Sequence, residues 1–379
     1  MPNKGGKMKD KIISFLLISI IIALCAIIGI LGFSVYVEMV ELGTIEINFQ
    51  GEYPTIEYTP ADKEKIDVTI DTEMFSGVEG ENTSHQTTET VRYRHLYNQL
   101  NTTAKTIYDK LYKNRENLKT GTYTVEFGDA FQSLLFTENG EAELKKEYQS
   151  AIEVLIYENP EIFYLDATNM FLNIEKITRM TGVKYNVYID NGNKPHYLAD
   201  GLNSKQDVDQ YTAQIEQVKN YIILNIEGKT DYEKIRLVHD YLIDSIDYDS
   251  TISEDNIYDL YGALVKRKCV CEGYAKAFQY IMNQVGIENT IVIGTGTNSK
   301  SLTESHAWNY IKLNGQWYAI DVTWDDPIIT GGGILTDKSK YEYFLKGSKK
   351  MNENHLPSGQ FTEGGQQFSY PVLSVEDYK

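Results

Sequence analysis

Between Cys269 and Pro327 the chain places a thiol, an imidazole and a carboxylate in that order: Cys271 in CVCEGYAKAFQYIMNQV, His306 in ESHAWNYIKL and Asp321 in QWYAIDVTWDDP. These are the parts of a nucleophilic site in which an imidazole takes the thiol proton and a carboxylate orients the imidazole. Such a site is defined by roles and geometry rather than by sequence neighbours. The thiolate attacks an amide carbonyl, an amine leaves and a thioester remains. Water resolving it completes a hydrolysis; an amine resolving it completes a transfer.

Three elements must position those groups. Cys271 opens a helical pattern that stops at Gly286, a residue suited to a helix C-terminus. A helix N-terminus offers the thiol the positive end of the dipole, and its unpaired backbone N–H groups can hold an oxyanion. ENTIVIGTG, HAWNYIKL and QWYAIDVTW read as three strands, with Asn314-Gly315 marking a two-residue hairpin turn between the last two. His306 then starts one strand and Asp321 ends its antiparallel partner, so both reach the same end of the sheet.

The blocks CEGYA, HAWN and DVTW, in this order and context, resemble the Cys-Gly-Tyr-Ala, His-Ala-Trp-Asn and Asp-x-Thr-Trp motifs of the transglutaminase-like core of the papain-like cysteine enzymes. The resemblance covers residues 230–327, and NPEIFYL at 159–165 is similar to a segment upstream of this core in bacterial membrane-attached relatives. It implies an α+β fold with the nucleophile helix packed on an antiparallel sheet. It also implies Cys271 as nucleophile, His306 as general base and then acid, and Asp321 as the group that orients the imidazole. Related enzymes supply a second oxyanion donor from a side chain upstream of the Cys, for which Tyr248 and Tyr261 are the candidates here. Trp308 and Trp324 flank the triad residues, placed either to wall the cleft against water or to fill the core, whereas Trp317 reads as core. The implied substrates are peptide or protein amides, with hydrolase and transferase both open. A non-catalytic cell-surface module that holds a peptide in the same cleft is the alternative from another class.

The other reactive side chains call for less. Cys269 reads as packing, because a Cys-x-Cys metal site needs further ligands at suitable spacing and none is near. His239 falls on the helix face RLVHDYL and reads as a core or boundary histidine; His355, in a polar stretch, is expected to face solvent. Asp325-Asp326 is expected to end the strand. No EF-hand-type loop is present, so no metal or cofactor is expected. Cys25 lies in an apolar run and Cys269 and Cys271 are one residue apart, so the three cysteines imply no disulfide framework.

Charge is unevenly distributed along the 379 residues. Lys4, Lys7, Lys9 and Lys11 against Asp10 give residues 1–11 a net +3, residues 12–37 carry none, and the total of −18 leaves −21 on residues 38–379. A nucleic-acid role is excluded by that acidic body. The uncharged run 12–37, IISFLLISIIIALCAIIGILGFSVYV, is long enough to span a bilayer as a helix. Lysines before it and Glu38 and Glu41 after it place residues 1–11 in the cytoplasm and the body outside. The expected organisation is a juxtamembrane segment and linker at 38–90, polar from 71; a smaller α+β module at 91–205; and a transglutaminase-like domain at 206–379. Within the last, Asp231 reads as the N-cap of a helix over 231–245, and IYDLYGALVKRK as a short helix leading to the Cys.

Overall fold

The computed structural model describes Thr44–Ile45 and residues 93–379, apart from 180–181, 253–254, 299–300, 327–336 and 363–364. The apolar run 12–37 and the linker 71–90 lie outside the described residues. Among the described residues no helix is long and apolar enough to cross a membrane.

The long helices are α1 (Thr102–Lys113), α2 (Gly140–Glu158), α3 (Lys205–Ile226), α4 (Asp231–Ser245) and α5 (Cys271–Gln284). The strands are β1 (Thr44–Ile45), β2 (Val125–Gly128), β3 (Phe171–Arg179), β4 (Gly182–Asp190), β5 (Asp247–Tyr248), β6 (Lys268–Cys269), β7 (Asn289–Thr297), β8 (Thr303–Leu313), β9 (Gln316–Ile320) and β10 (His355–Pro357). They form two antiparallel sheets, ordered β1-β3-β4-β2 and β10-β7-β8-β9, and a short parallel pair, β5-β6. The fold is α+β, with the helix bearing Cys271 packed on the second sheet.

Each element follows from its side chains. Ala104, Ile107, Tyr108 and Leu111 form the buried stripe of α1, which packs on a matching stripe of α2 containing Leu144, Tyr148, Ala151 and Leu155. One buried cluster joins these residues to Ile215 of α3, Val238 of α4 and Phe278 of α5, so the accessory elements and the domain around the Cys share a core. Helix α4 is capped one residue earlier than the sequence pattern suggests. Thr230 Oγ1 accepts from Glu233 N at 3.3 Å, and Glu233 Oε2 accepts from Thr230 N at 2.9 Å, a reciprocal capping box. Asp231 becomes the first helical residue, where its charge suits the positive end of the dipole.

IYDLYGALVKRK departs from the expected short helix: Tyr261–Lys266 winds as one π-helical turn and stops at Arg267, whose φ is +55°. The buried carboxylate of Asp259 explains the turn, since its Oδ1 accepts from Tyr261 N at 2.8 Å and Gly262 N at 3.0 Å. The chain then pairs Lys268–Cys269 with Asp247–Tyr248 and delivers Cys271 to the start of α5.

Helix α5 is buried all along Cys271–Met282. Asn309 on β8 clips it to the sheet by donating from Nδ2 to Ala275 O at 3.0 Å. At the hairpin, Asn314 and Gly315 have φ of +52° and +80°, the left-handed pair that a type I′ turn requires. The resulting register, from Leu313↔Gln316 to Asn309↔Ile320, leaves Asp321 one residue beyond β9. The free edge of β9 is covered by later chain: Ala319 and Lys346 exchange 2.8 Å backbone bonds, and Ser374 N donates to Trp317 O at 2.7 Å.

Gly273 marks the tightest approach of α5 to its surroundings, since a Cβ there would lie 2.7 Å from Cys269 Sγ and 2.9 Å from Ile257 O. Gly273→Ala gains up to about 1 kcal/mol of helix propensity but overpacks the new methyl against the Cys269 side chain and the Ile257 carbonyl. A net loss of about 1–2 kcal/mol in urea unfolding is expected, and an unchanged or raised midpoint would contradict this packing.

Candidate active site

Val270 is extended and caps α5, which makes Cys271 the first helical residue. The Cys271 and Glu272 amides therefore have no acceptor within the helix, whereas Gly273 N and Tyr274 N already donate to Val270 O at 2.9 and 3.3 Å. The thiol is buried against Ala275, Ile291 and Ala307. It shares a cleft with His306 and is near enough to help raise the imidazole. His306 Nε2 donates to Asp321 Oδ2 at 2.6 Å, so Nδ1 is the nitrogen left for the thiol. The structure thus gathers the Cys271 thiol and the His306–Asp321 pair at one place.

The electrostatics follow from burial and charge. Burial opposes a charge on His306, yet the Asp321 carboxylate overrides it and, with a smaller contribution from Cys271, pushes the imidazole up to about 10. Burial also opposes ionisation of Asp321, but His306 and His355 hold its carboxyl well below the usual carboxylate range. Its other oxygen, Oδ1, accepts from Trp324 N at 3.1 Å.

His355 does not face solvent. It is buried, and its Nε2 donates to the same Asp321 Oδ2 at 2.9 Å. The pairing of β10 with β7 carries it there, by a route that its polar sequence neighbours do not reveal. The available signal was the pair of glycines in ENTIVIGTG, because glycine inside a strand marks the close approach of another group. A Cβ at Gly294 would lie 2.2 Å from Leu356 O, and one at Gly296 would lie 2.7 Å from the Trp324 ring.

A narrow cleft opens over the thiol, walled by Tyr248, Asn298, Glu304, His306, Thr323 and Trp324 among others. Trp324 stacks on His306 with centroids 5.1 Å apart and shields it from one side. Trp308 stacks on the same ring at 5.8 Å but is only 1% exposed, so it forms a floor under the imidazole rather than a wall of the cleft. Of the two candidate tyrosines, Tyr248 lines the cleft. Tyr261 lies elsewhere, with its ring stacked on Tyr211 at 3.6 Å and its hydroxyl donating to Gln214 Oε1 at 2.8 Å. Tyr258, not singled out in the sequence, is near enough to Glu272 and Cys271 that their charges add to burial in raising its pKa.

The remaining candidates are structural. Cys269 is fully buried, and its thiol is pushed well up by burial. His239 bridges Asp240 Oδ1 at 3.1 Å and Asp325 Oδ2 at 3.0 Å inside the core. Asp325 and Asp326 turn inward instead of merely ending the strand. Asp325 Oδ1 accepts from Tyr343 N at 2.7 Å and Asp326 Oδ2 from the Tyr274 hydroxyl at 2.6 Å, while burial pushes both carboxyls up to about 7.

His306 Nε2, Asp321 Oδ2 and His355 Nε2 lie within 4.8 Å of one another, and two imidazoles with a carboxylate are a set that transition metals accept. Here both imidazole nitrogens stand at hydrogen-bond distance from a single oxygen, and a ring N–H on each accounts for the spacing without a metal.

Residues 216–322 match the model of the transglutaminase-like superfamily. This segment is a transglutaminase-like domain. The kyphoscoliosis peptidases of Homo sapiens and Mus musculus are each 28% identical over 152 residues, which is 35% of this chain and 22% of theirs. The chain therefore matches about a fifth of the length of these curated relatives. Among solved structures, a crystal structure of a TGase shares 15% identity at a TM-score of 0.26, over 47% of this chain and 50% of that one. The periplasmic domain of TgpA from Pseudomonas aeruginosa shares 13% at 0.24, over 38% and 55%.

The transglutaminase-like domain should show a pH-dependent contribution from its buried ion pair. His306 is held above its ordinary 6.5, so its contribution to stability is complete below that value and is lost as the pH rises through about 10. Asp321 is held below its ordinary 3.8, so its contribution is complete above that value and is lost as the pH falls beneath it. In urea titrations the stability difference between the wild type and Asp321→Asn should be largest between pH 3.8 and 6.5 and shrink towards pH 10. A constant difference would refute the assignment.

Proposed function

We propose that this chain is a cysteine enzyme that processes peptide or protein amides through a thioester at Cys271. The observation that carries the reading is the buried chain from the Cys271 thiol, at a helix N-terminus, through His306 to Asp321, facing a cleft. His306 Nδ1 takes the thiol proton, and the sulfur bonds to the amide carbon. Negative charge then develops on the carbonyl oxygen, where the Cys271 N–H is one donor and the hydroxyl of Tyr248, a residue of the cleft wall, serves as the other. Collapse breaks the C–N bond, and the protonated His306 returns its proton to the leaving amine. In the second half His306 takes a proton from water or an amine, which attacks the thioester and releases the thiolate. Asp321 stays ionised throughout and keeps the imidazole in register.

The same geometry serves hydrolysis and transfer, because the difference lies in which nucleophile reaches the thioester. The curated relatives are named peptidases, which favours water. Residues 12–37 serve in this reading as a membrane anchor, with the lysine-rich flank cytoplasmic and the cleft outside.

Cys271→Ala should abolish labelling by a thiol-directed electrophile at pH 7 and lower turnover of a glutamine-bearing peptide by about 10⁴-fold or more. Adding a labelled amine separates the outcomes: free carboxylate in mass spectra identifies hydrolysis, and incorporated amine identifies transfer. Labelling and turnover that both survive in Cys271→Ala would eliminate the proposal.

A further inference from the structure

We infer that His355 is a positioning residue of this site, a second imidazole that fixes the Asp321 carboxylate so that His306 is held in line with the thiol. The inference rests on the reading of Cys271, His306 and Asp321 as a triad. Asp321 is 0% exposed, so its oxygens depend on protein donors. Trp324 N engages Oδ1 from the adjacent backbone. His306 Nε2 alone on Oδ2 would leave the catalytic contact to set the carboxylate plane. His355 Nε2 supplies a second side-chain donor on that oxygen at 2.9 Å, from a different strand.

The fold makes room for both rings. Strand β7 lies between β8 and β10, with Gly294 opposite His306 and Gly296 opposite His355. Neither glycine places a side chain between the imidazoles, whose centroids stand 5.6 Å apart. Trp324 and Trp308, at 4.4 and 5.1 Å from His355, close the remaining sides.

His355 is held as a neutral donor. Burial disfavours its charged form and the neighbouring charge of His306 works in the same direction, together outweighing Asp321. A neutral ring has one N–H, and the carboxylate claims it at Nε2. Nδ1 lies 2.8 Å from Asn354 Oδ1, and Asn354 Nδ2 lies 2.6 Å from the Tyr343 hydroxyl. The oxygen and nitrogen of an amide side chain exchange places by a half-turn of the group, and the turned Asn354 amide gives the bare Nδ1 an N–H and the hydroxyl an acceptor. This relay fixes the tautomer and keeps a second positive charge away from the His306–Asp321 pair.

The test is the rate of Cys271 alkylation by iodoacetamide at pH 6 in the full chain, with thermal unfolding as the control for folding. His306→Ala sets the rate of an uncoupled thiol. His355→Leu, which cannot donate, should slow alkylation about tenfold, and His355→Gln, which can, should stay within about twofold of wild type. A purely packing role for His355 would give no recovery with Gln. Should His355→Leu fail to fold, Asn354→Ala decides: a loss of about threefold supports the relay, and an unchanged rate overturns it. A wild-type rate in folded His355→Leu, or a loss that Gln does not recover, also overturns the assignment. If His306→Ala itself leaves alkylation unchanged, the triad reading fails first; if only His306→Ala slows it, the triad stands and the role of His355 falls.

Discussion

A carboxylate sealed from water is the constraint on which this domain turns. Burying an ionised group costs several kcal/mol unless it is paired and its lone pairs are satisfied. Asp321 meets that cost with two imidazoles and a backbone N–H. Each partner then fixes something larger: the hairpin register sets His306, the glycines of β7 admit His355, and the turn after β9 places the Trp324 amide. A shift of one residue in the β8-β9 pairing would turn Asp321 to the other face and leave the two histidines without their acceptor.

The residues just past Asp321 extend the same logic. Asp325 is gripped by His239 of α4 and by the Tyr343 backbone, and Asp326 by Tyr274 of α5. Three acidic side chains within six residues thus tie one short turn to two strands, to two helices and to the segment that returns after it. Such a turn has little freedom to move, which suits a site that depends on alignment at the scale of a few tenths of an ångström. An acidic run that would ordinarily be a solvated strand end serves here as a clamp.

Much of this was readable from residue types and spacing, and the failures have physical causes. The helix at Cys271, the turn at Asn314-Gly315, the strand carrying His306 and the strand that ends just before Asp321 are local features, and local rules place them. The contact of His355 with Asp321 depends on β10 crossing to β7, a pairing about sixty residues apart that no periodicity announces. Tyr261 looked available for the cleft because it precedes the Cys; the π-helical turn rotates it onto Tyr211 instead. Strands β5 and β6 are two residues each, too short to show alternation, although their parallel pairing is what delivers Cys271 to its helix. Thr230 and Asp231 are both competent caps, and the reciprocal bond to Glu233 decides between them.

The match to the transglutaminase-like superfamily stops at residue 322, yet the Asp321 environment is finished by His355, and the outer edge of β9 by residues near 346 and 374. During synthesis the thiol, the first imidazole and the carboxylate all emerge before the groups that complete their surroundings. The segment ending at residue 322 carries the helix, the hairpin and three reactive side chains, but only one of the two imidazole partners of its buried acid. Completion of the site is therefore ordered along the chain, and the surroundings of the carboxylate close with the last strand rather than with the helix.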